Sequence, residues 1–209
     1  MSSPRGEGQY FTERPEVTSK PRMISVRLAD LDLDLVTDRG VFAVNAVDPG
    51  TRFLLEEAPS PPATGTIVDL GCGYGAIAVA LAKRSPAADV VAIDVNRRAL
   101  ALCAANAERN GVQVRVAHAD DVGPDLEITA LYSNPPVRIG KQALHDLLLR
   151  WLGRLDPGSS AYLVVLRHLG ADTLTTWLSD SGFPTERLRS RRGYRILQVQ
   201  PAQPSPHDR

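Results

Sequence analysis

The stretch Val68-Asp69-Leu70-Gly71-Cys72-Gly73-Tyr74-Gly75 decides the fold. Residues 66–68, which lead into it, are apolar and typical of a buried strand, and the Ala-rich residues 76–84 that follow are typical of a helix. The three glycines between them allow the backbone to turn sharply and to lie close to a ligand, because glycine has no Cβ atom. The amides that open the following helix face the same crevice. We therefore predict a cofactor-binding turn between a strand and a helix.

Strands and helices alternate downstream of this turn. The predicted strands cover residues 66–70, 90–93, 112–117, 128–133, 161–166, 185–188 and 194–199. The predicted helices cover residues 76–84, 97–110, 141–155 and 171–181. This alternation, with apolar strands, predicts an α/β fold with a doubly wound, mostly parallel, seven-stranded Rossmann-like sheet.

An accessory segment, residues 10–60, precedes the sheet within a single domain that we expect to span residues 10–200. Residues 24–28 and 31–35 alternate apolar and polar side chains, which predicts a β-hairpin. The turn Asp48-Pro49-Gly50-Thr51 carries a helix N-cap signal and precedes a short predicted helix over residues 52–56. The polar, Gly- or Pro-rich tails, residues 1–9 and 201–209, are expected to be disordered.

Composition limits the partners and the compartment. The 209 residues include 24 Lys and Arg and 24 Asp and Glu, so any contact with nucleic acid must depend on local basic patches. Cys72 and Cys103 lie outside metal-ligand spacings, which predicts reduced thiols and no metal. No apolar stretch is typical of a signal peptide or long enough to span a membrane, so we expect a cytoplasmic protein without membrane contact. The oligomeric state is not predicted.

Two cofactors are compatible with the glycines alone. Gly71-x-Gly73-x-x-Ala76 satisfies the dinucleotide fingerprint, and Asp94 has the spacing of its ribose-binding acid. However, Asp69 would repel a pyrophosphate, and Asn134-Pro135-Pro136 after the fourth strand has no role in hydride transfer. Both features suit S-adenosylmethionine, whose sulfonium and ammonium groups are positive. We therefore favour this cofactor over NAD.

Each acid after a predicted strand receives a role in this interpretation. Asp69 would anchor the methionine end through water or backbone, Asp94 would accept hydrogen bonds from the ribose hydroxyls, and Asp120 or Asp121 would accept one from the adenine amine. The alternative is strand-end capping without any ligand. The complete predicted cofactor set is Asp69, Gly71, Cys72, Gly73, Gly75, Asp94, Val95, Asp120, Asp121 and Asn134.

Asn134-Pro135-Pro136 resembles the catalytic loop of class I S-adenosylmethionine-dependent methyltransferases that act on amino nitrogens, and the resemblance implies that Asn134, Pro135 and Pro136 are catalytic. An exocyclic amine of a base is a poor nucleophile, because its lone pair is delocalised into the ring. The Asn134 side-chain oxygen and the Pro135 carbonyl could accept its two N–H groups and aim the lone pair at the methyl group, while the prolines stiffen the loop. The alternative is a rigid turn at the strand exit, for which Asn-Pro is common.

The glycine motif and Asn134-Pro135-Pro136 resemble class I S-adenosylmethionine-dependent methyltransferases that act on amino nitrogens. The likeness narrows through Tyr10-Phe11 and residues 15–21, 37–42, 47–51 and 134–141. From Tyr10 to Val199 the chain is similar to the catalytic domain of the small-subunit (16S) ribosomal RNA guanine-N2 methyltransferases. The resemblance implies methyl transfer from S-adenosylmethionine to a guanine amine, with small-subunit ribosomal RNA or the small ribosomal subunit as partner.

One position departs from the pattern of many amino methyltransferases: Val137 stands where an aromatic side chain would stack on the target base. This departure disfavours adenine or glutamine as the substrate. Another aromatic residue must then stack on the base, and the candidates are Tyr10, Phe11, Phe42 and Tyr74. The basic residues predicted to bind the substrate are Arg138, Lys141, Arg191 and Arg192.

Two alternative functions stay open at this point. The first is methylation of another amino nitrogen, in protein glutamine, adenine or a small-molecule amine. The second is a non-catalytic module of the same fold that binds RNA or a protein partner.

Overall fold

The computed structural model describes residues 13 and 17–202. Most of the two predicted disordered tails, together with Tyr10 and Phe11, lies outside the described residues. The strands are β1 (Arg22–Arg27), β2 (Asp32–Thr37), β3 (Thr66–Leu70), β4 (Asp89–Asp94), β5 (Arg115–His118), β6 (Ile128–Ser133), β7 (Leu155–Leu166), β8 (Thr185–Arg191) and β9 (Tyr194–Val199). The α-helices are α1 (Pro49–Glu57), α2 (Ala76–Arg84), α3 (Arg97–Arg109), α4 (Lys141–Leu152) and α5 (Ala171–Asp180).

Seven strands form the main sheet, in the order β5-β4-β3-β6-β7-β9-β8. The first five strands of this order are parallel, and β9 runs antiparallel to both β7 and β8. The predicted doubly wound, mostly parallel sheet is thus confirmed. The strand order reverses between β3 and β6, and in open α/β sheets the crevice beyond the carboxyl ends at this point is where ligands bind.

Helices cover both faces of the sheet, each over its own hydrophobic core. The core on one face joins α1, α2 and α3 to the hairpin, and the core on the other face joins α4 and α5. Residues 76–82 of α2 are all buried, because α1 and β2 pack over the side of α2 that faces away from the sheet. This enclosure explains why α2 is rich in alanine and lacks a polar face.

Several element boundaries differ from the prediction, among them those of β5, α4 and β7. The strand predicted from residue 112 begins only at Arg115. The helix predicted to reach Leu155 ends at Leu152, before Gly153, and β7 then begins six residues earlier than predicted. β7 pairs Leu155 with Ile128 and Ser160 with Ala130, so the residues between bulge out of the ladder around Pro157-Gly158. Because the bulge interrupts the alternation of apolar and polar side chains, the sequence does not indicate where β7 begins.

The predicted N-terminal hairpin is confirmed: β1 and β2 pair antiparallel as a separate two-stranded sheet. Two asparagines one turn apart bind the backbone of β2: Asn106 lies on α3, and Asn110 is the C-cap of the same helix. Asn106 accepts from the Val36 amide at 2.7 Å and donates to the Val36 carbonyl at 2.8 Å. Asn110 makes the same pair of bonds to Asp34, at 3.3 and 2.9 Å. The side-chain amides thereby replace a neighbouring strand and hold the hairpin against the main domain.

Candidate active site

A cavity of about 620 Å³ lies beyond the carboxyl ends of β3, β4 and β6. Predicted residues that line it are Gly71, Cys72, Gly73, Asp94, Val95, Asn134, Pro135, Pro136 and Arg138. The N-terminal segment supplies a further wall, formed by residues 41–45, Asp48 and Thr51, of which only Phe42 was a predicted site residue. Predicted residues outside the described lining are Asp69, Gly75, Asp120, Asp121, Lys141, Arg191 and Arg192.

The glycine turn has the backbone that its sequence predicts. Gly71, Gly73 and Gly75 have φ values of 73°, 55° and 90°, in the left-handed region that favours glycine. The amides of Gly71 and Cys72 both donate to the Ile93 carbonyl, at 2.8 and 3.0 Å, which ties the turn to the end of β4. A Cβ atom on Gly75 would lie 2.5 Å from Cys103 Sγ, so only glycine allows the turn to lie this close to α3.

Asp69 lies beneath the turn and is fully buried. Its Oδ2 accepts from the Ala78 amide at 2.9 Å, while its buried Oδ1 has no partner among the residues described. Burial raises the pKa of this carboxyl to about 8, because the charged form is poorly solvated there. Its direct partner is the first turn of α2, and its indirect role at the methionine end stays a prediction.

Asp94, the predicted ribose-binding acid, lies at the end of β4 and on the cavity wall. Its Oδ2 accepts from the Gly73 amide and its Oδ1 from the Asn96 amide, both at 2.9 Å. Burial raises the pKa of Asp94, and the amide hydrogen bonds oppose this shift. A carboxylate offers about four acceptor sites, more than these amides use, so Asp94 can still accept a hydrogen bond from a diol.

Asp120 and Asp121 are both exposed. The Asp120 side chain is 79% exposed and lies 3.7 Å from Arg150 and 3.8 Å from His118. In this loop it is Ala119 that lines the cavity. The adenine contact predicted for one of these acids therefore stays a prediction.

Asn134 follows β6 directly, and its amide orientation is fixed by α1. Its Nδ2 donates to Asp48 Oδ1 at 2.9 Å and to Thr51 Oγ1 at 3.0 Å. Because an ionised carboxylate only accepts hydrogen bonds, the atom facing Asp48 must be the NH₂ group. Both amide hydrogens are thus engaged, and Oδ1 on the other arm is left to accept a bond from a ligand.

The backbone around Asn134 is fixed as well. Ser133 Oγ donates to the Leu70 carbonyl at 2.6 Å, which ties the end of β6 to the start of the glycine turn. The Pro135 carbonyl accepts from the Val137 amide at 2.8 Å and retains one lone pair. The two predicted acceptors of a substrate amine therefore lie next to each other on a constrained loop.

The sequence predicted an N-cap signal within the turn of residues 48–51, but neither the cap role of Asp48 itself nor its contact with Asn134. The structure starts α1 at Pro49 and makes Asp48 its N-cap, with Oδ1 accepting from the Gly50 and Thr51 amides at 2.8 and 3.1 Å. The prediction began the helix three residues later. The signal that could have pointed to this contact is Asp48 itself, because it lies in residues 47–51, one of the stretches that resemble the family.

The predicted substrate-binding residues lie in different environments. Arg138 is exposed on the cavity wall, and Lys141 is exposed at the first position of α4. Arg191 forms ion pairs with Glu56 and Glu57 of α1. Arg192 is exposed in the turn between β8 and β9.

Two of the aromatic candidates for base stacking lie among the described residues. Tyr74 is buried, at 5% exposure. Phe42 lines the cavity and is 45% exposed, so its ring is accessible to a ligand.

Comparison with known proteins identifies the family. The model of the methyltransferase small domain matches residues 32–198. The chain belongs to the methyltransferase small domain family. The predicted membership of the class I S-adenosylmethionine-dependent methyltransferases is confirmed, and with it the cofactor class.

Relatives of this methyltransferase small domain protein differ in how much is known of them. An uncharacterised Bacillus subtilis protein, YbxB, is 31% identical over 91% of this chain and 96% of its own length. Ribosomal RNA small subunit methyltransferase C of Ectopseudomonas mendocina is 32% identical over 87% of this chain. The same enzyme of Hahella chejuensis is 38% identical over 66% of this chain.

The T. thermophilus 16S rRNA N2 methyltransferase RsmC, solved in complex with AdoMet and guanosine, shares the fold. It superposes with a TM-score of 0.75 at 23% identity over 90% of this chain. The matched region covers 52% of that structure, 55% of the E. mendocina enzyme and 41% of the H. chejuensis enzyme. The chain thus spans about half the length of these methyltransferases.

Every described helix is too short or too polar to cross a lipid bilayer. No group of three or more His, Cys, Asp or Glu side chains within the described residues could hold a metal ion.

Proposed function

We propose that this methyltransferase transfers a methyl group from S-adenosylmethionine to the N2 amine of a guanine in small-subunit ribosomal RNA. The observation that carries the proposal is the fixed orientation of Asn134, whose NH₂ group is bound by Asp48 and Thr51. Its Oδ1 and the Pro135 carbonyl then form a pair of acceptors for the two hydrogens of an exocyclic amine.

The residues of the cavity fit the cofactor. The glycine turn has no Cβ atoms where a ligand would approach, and Asp94 presents a carboxylate to a ribose diol. The cavity volume of about 620 Å³ falls in the range of small-molecule sites. When bound, S-adenosylmethionine supplies a methyl group already activated by a sulfonium.

The chain supplies positioning. Asn134 Oδ1 and the Pro135 carbonyl hold the two N–H bonds, so that the nitrogen lone pair points towards the methyl carbon. The new N–C bond forms as the C–S bond breaks, and the sulfur keeps the electron pair of that bond. The methylated amine then loses one proton to water, so no strong general base is required. Proximity and orientation provide most of the rate enhancement.

The relatives support the choice of substrate. Ribosomal RNA small subunit methyltransferase C of three bacterial genera is 31–38% identical to this chain, and the RsmC structure contains AdoMet and guanosine. Val137, in the position of a stacking aromatic, disfavours adenine and glutamine. We infer that the partner is small-subunit ribosomal RNA, either free or within the small subunit. The cytoplasmic location stays a prediction.

Mass-spectrometric mapping of modified nucleosides tests the proposal. Small-subunit RNA from cells lacking the gene should lose one N2-methylguanosine, which returns with the wild-type chain and not with Asn134→Ala. An unchanged methylguanosine content would refute the ribosomal RNA assignment. A methylated adenine, glutamine or free amine in the same material would identify the alternative substrate.

A further inference from the structure

The N-cap of α1 is also the partner of the proposed catalytic amide. Asp48 Oδ1 accepts three hydrogen bonds, from the Gly50 amide at 2.8 Å, the Thr51 amide at 3.1 Å and Asn134 Nδ2 at 2.9 Å. Asp48 and Asn134 are 86 residues apart in the chain. The N-cap of a helix needs only the bonds from Gly50 and Thr51. The bond from Asn134 Nδ2 therefore serves the Asn134 side chain and not the helix.

We propose that Asp48 is a positioning residue for methyl transfer, acting through Asn134. This inference rests on the proposed function, and it deepens that function by assigning a role to the N-terminal segment. Asp48 and Thr51 together take both hydrogens of the Asn134 amide. Rotation of the amide by half a turn would place Oδ1 against the Asp48 carboxylate, where two acceptors repel each other. Asp48 therefore keeps Oδ1 directed at the substrate.

The charge of Asp48 adds an electronic effect to this geometric one. A carboxylate that accepts from the NH₂ group draws positive charge towards that side of the amide and leaves more negative charge on Oδ1. The attacking nitrogen becomes positive as the N–C bond forms, so a more negative Oδ1 stabilises the transition state more than the bound substrate. Such an interaction raises kcat and leaves KM nearly unchanged.

The position of Asp48 is itself constrained from the opposite side. A Cβ atom on Gly50 would lie 2.6 Å from Tyr194 Cε1 and 2.9 Å from Asp48 Oδ1. Gly50 thus leaves no room for a side chain between the start of α1, the ring of Tyr194 and the half-buried carboxylate of Asp48. The three hydrogen bonds to Oδ1 hold the Asp48 carboxylate in place.

Four variants separate positioning from simple capping. Asp48→Ala removes the cap and the contact with Asn134, whereas Asp48→Asn keeps an acceptor oxygen without the charge. Thr51→Val keeps the cap and removes one acceptor. Ile128→Val, at the opposite end of β6, is the control for a loss of stability of similar size. Cap loss should lower the melting temperature by about 2–4 °C.

We expect Asp48→Ala to lower kcat by about 100-fold, with KM for RNA and affinity for S-adenosylmethionine within about twofold of wild type. Asp48→Asn should restore part of the rate, and Ile128→Val should keep all of it. In the Asn134→Ala background, Asp48→Ala should cause no further loss of kcat. A wild-type kcat in Asp48→Ala, or full additivity with Asn134→Ala, would overturn the inference and leave the proposed function intact.

A second readout does not depend on the substrate. The ¹⁵N-labelled side-chain NH₂ signals of Asn134, identified by their loss in Asn134→Ala, should exchange slowly in wild type and rapidly in Asp48→Ala. If RNA is not methylated by the wild-type chain, the proposed function fails, and this exchange still decides whether Asp48 holds the amide. Unchanged exchange in Asp48→Ala would refute positioning.

Discussion

At the scale of single residues, Asp69 links the stability of the fold to pH. Its pKa is raised from 3.8 to about 8 by burial, so the folded state binds a proton that the unfolded state releases above about pH 4. The free energy of unfolding should therefore fall as the pH rises from about 4 to 8, by up to about 1.4 kcal/mol per pH unit from this group.

Thermal unfolding across this pH range checks the prediction. In Asp69→Asn the corresponding slope should be missing, since the amide does not titrate. Asp89→Asn, an exposed acid at the start of β4, serves as the control and should keep the wild-type slope. A wild-type stability that is flat or rising between pH 4 and 8, after correction for the other acids, contradicts it.

Asp94 should determine the affinity for the cofactor. Asp94→Ala removes the acceptor of a ribose diol and the partner of the Gly73 amide. We expect the Kd for S-adenosylmethionine to rise by about 10- to 100-fold, the value of one or two charge-assisted hydrogen bonds. Calorimetry measures it, with Asp89→Ala on the same strand as the control. An equal Kd for S-adenosylmethionine in both variants would show that Asp94 does not bind the cofactor.

The residue scale also shows how far sequence reasoning reaches. Gly71, Asp94 and Asn134 were predicted because short motifs tie residue type to a strand end, and all three line the same cavity. The partnership of Asp48 with Asn134 was not found, because no local pattern reports a contact across 86 residues. Likewise, the burial of Asp69 depends on the helix packed above it.

At the scale of elements, the start of α1 should tolerate a larger residue poorly. Alanine at an exposed helical position stabilises by about 0.5–1 kcal/mol relative to glycine. In Gly50→Ala, however, the methyl group would lie 2.6 Å from Tyr194 and 2.9 Å from Asp48. We expect a loss of about 1–3 kcal/mol and a reduced kcat, because both neighbours must move.

Thermal unfolding and steady-state kinetics measure these effects. Gly123→Ala is the matched control, because an added Cβ meets no atom within 4 Å there. A Gly50→Ala variant with the stability and the kcat of wild type would show that Asp48 and Tyr194 can be displaced without consequence.

Element boundaries were predictable where a breaker residue coincides with the end of a pattern. The bounds of α2 and β6 agree with the sequence because glycine or proline flanks each of them. The start of β7 was missed, because its bulge at residues 156–159 interrupts the alternation of side chains. For α1, an N-cap signal was predicted within residues 48–51, but the helix begins at Pro49, three residues earlier than predicted.

At the scale of the whole molecule, charge is balanced, so RNA binding must depend on where the basic residues lie. Lys141 and Arg192 are both exposed. If each contacts a phosphate, Lys141→Ala with Arg192→Ala should weaken binding and reduce the slope of log K against log salt by about 1–2. Arg191→Ala is the comparison, since Arg191 pairs with Glu56 and Glu57.

Filter binding at several salt concentrations provides the slope. We expect Arg191→Ala to lower the melting temperature and to leave the salt slope close to that of the wild type. A double variant with the wild-type slope would exclude Lys141 and Arg192 from the RNA interface.

The fold class followed from the sequence because each βα unit carries its own periodicity, and right-handed connections leave few arrangements of the strands. The position of the hairpin could not be predicted from the sequence. The residues that hold it, Asn106 and Asn110, look in the sequence like ordinary polar positions of a helix. Their role requires the backbone of β2 at the right distance.

These two asparagines also bear on how the protein behaves at high concentration. A two-stranded sheet offers backbone groups on its outer edge to any passing strand, which is a common route to aggregation. On β2, the groups at Asp34 and Val36 are already bound by α3. These side-chain amides thus cover an edge at which a strand of another copy could otherwise pair.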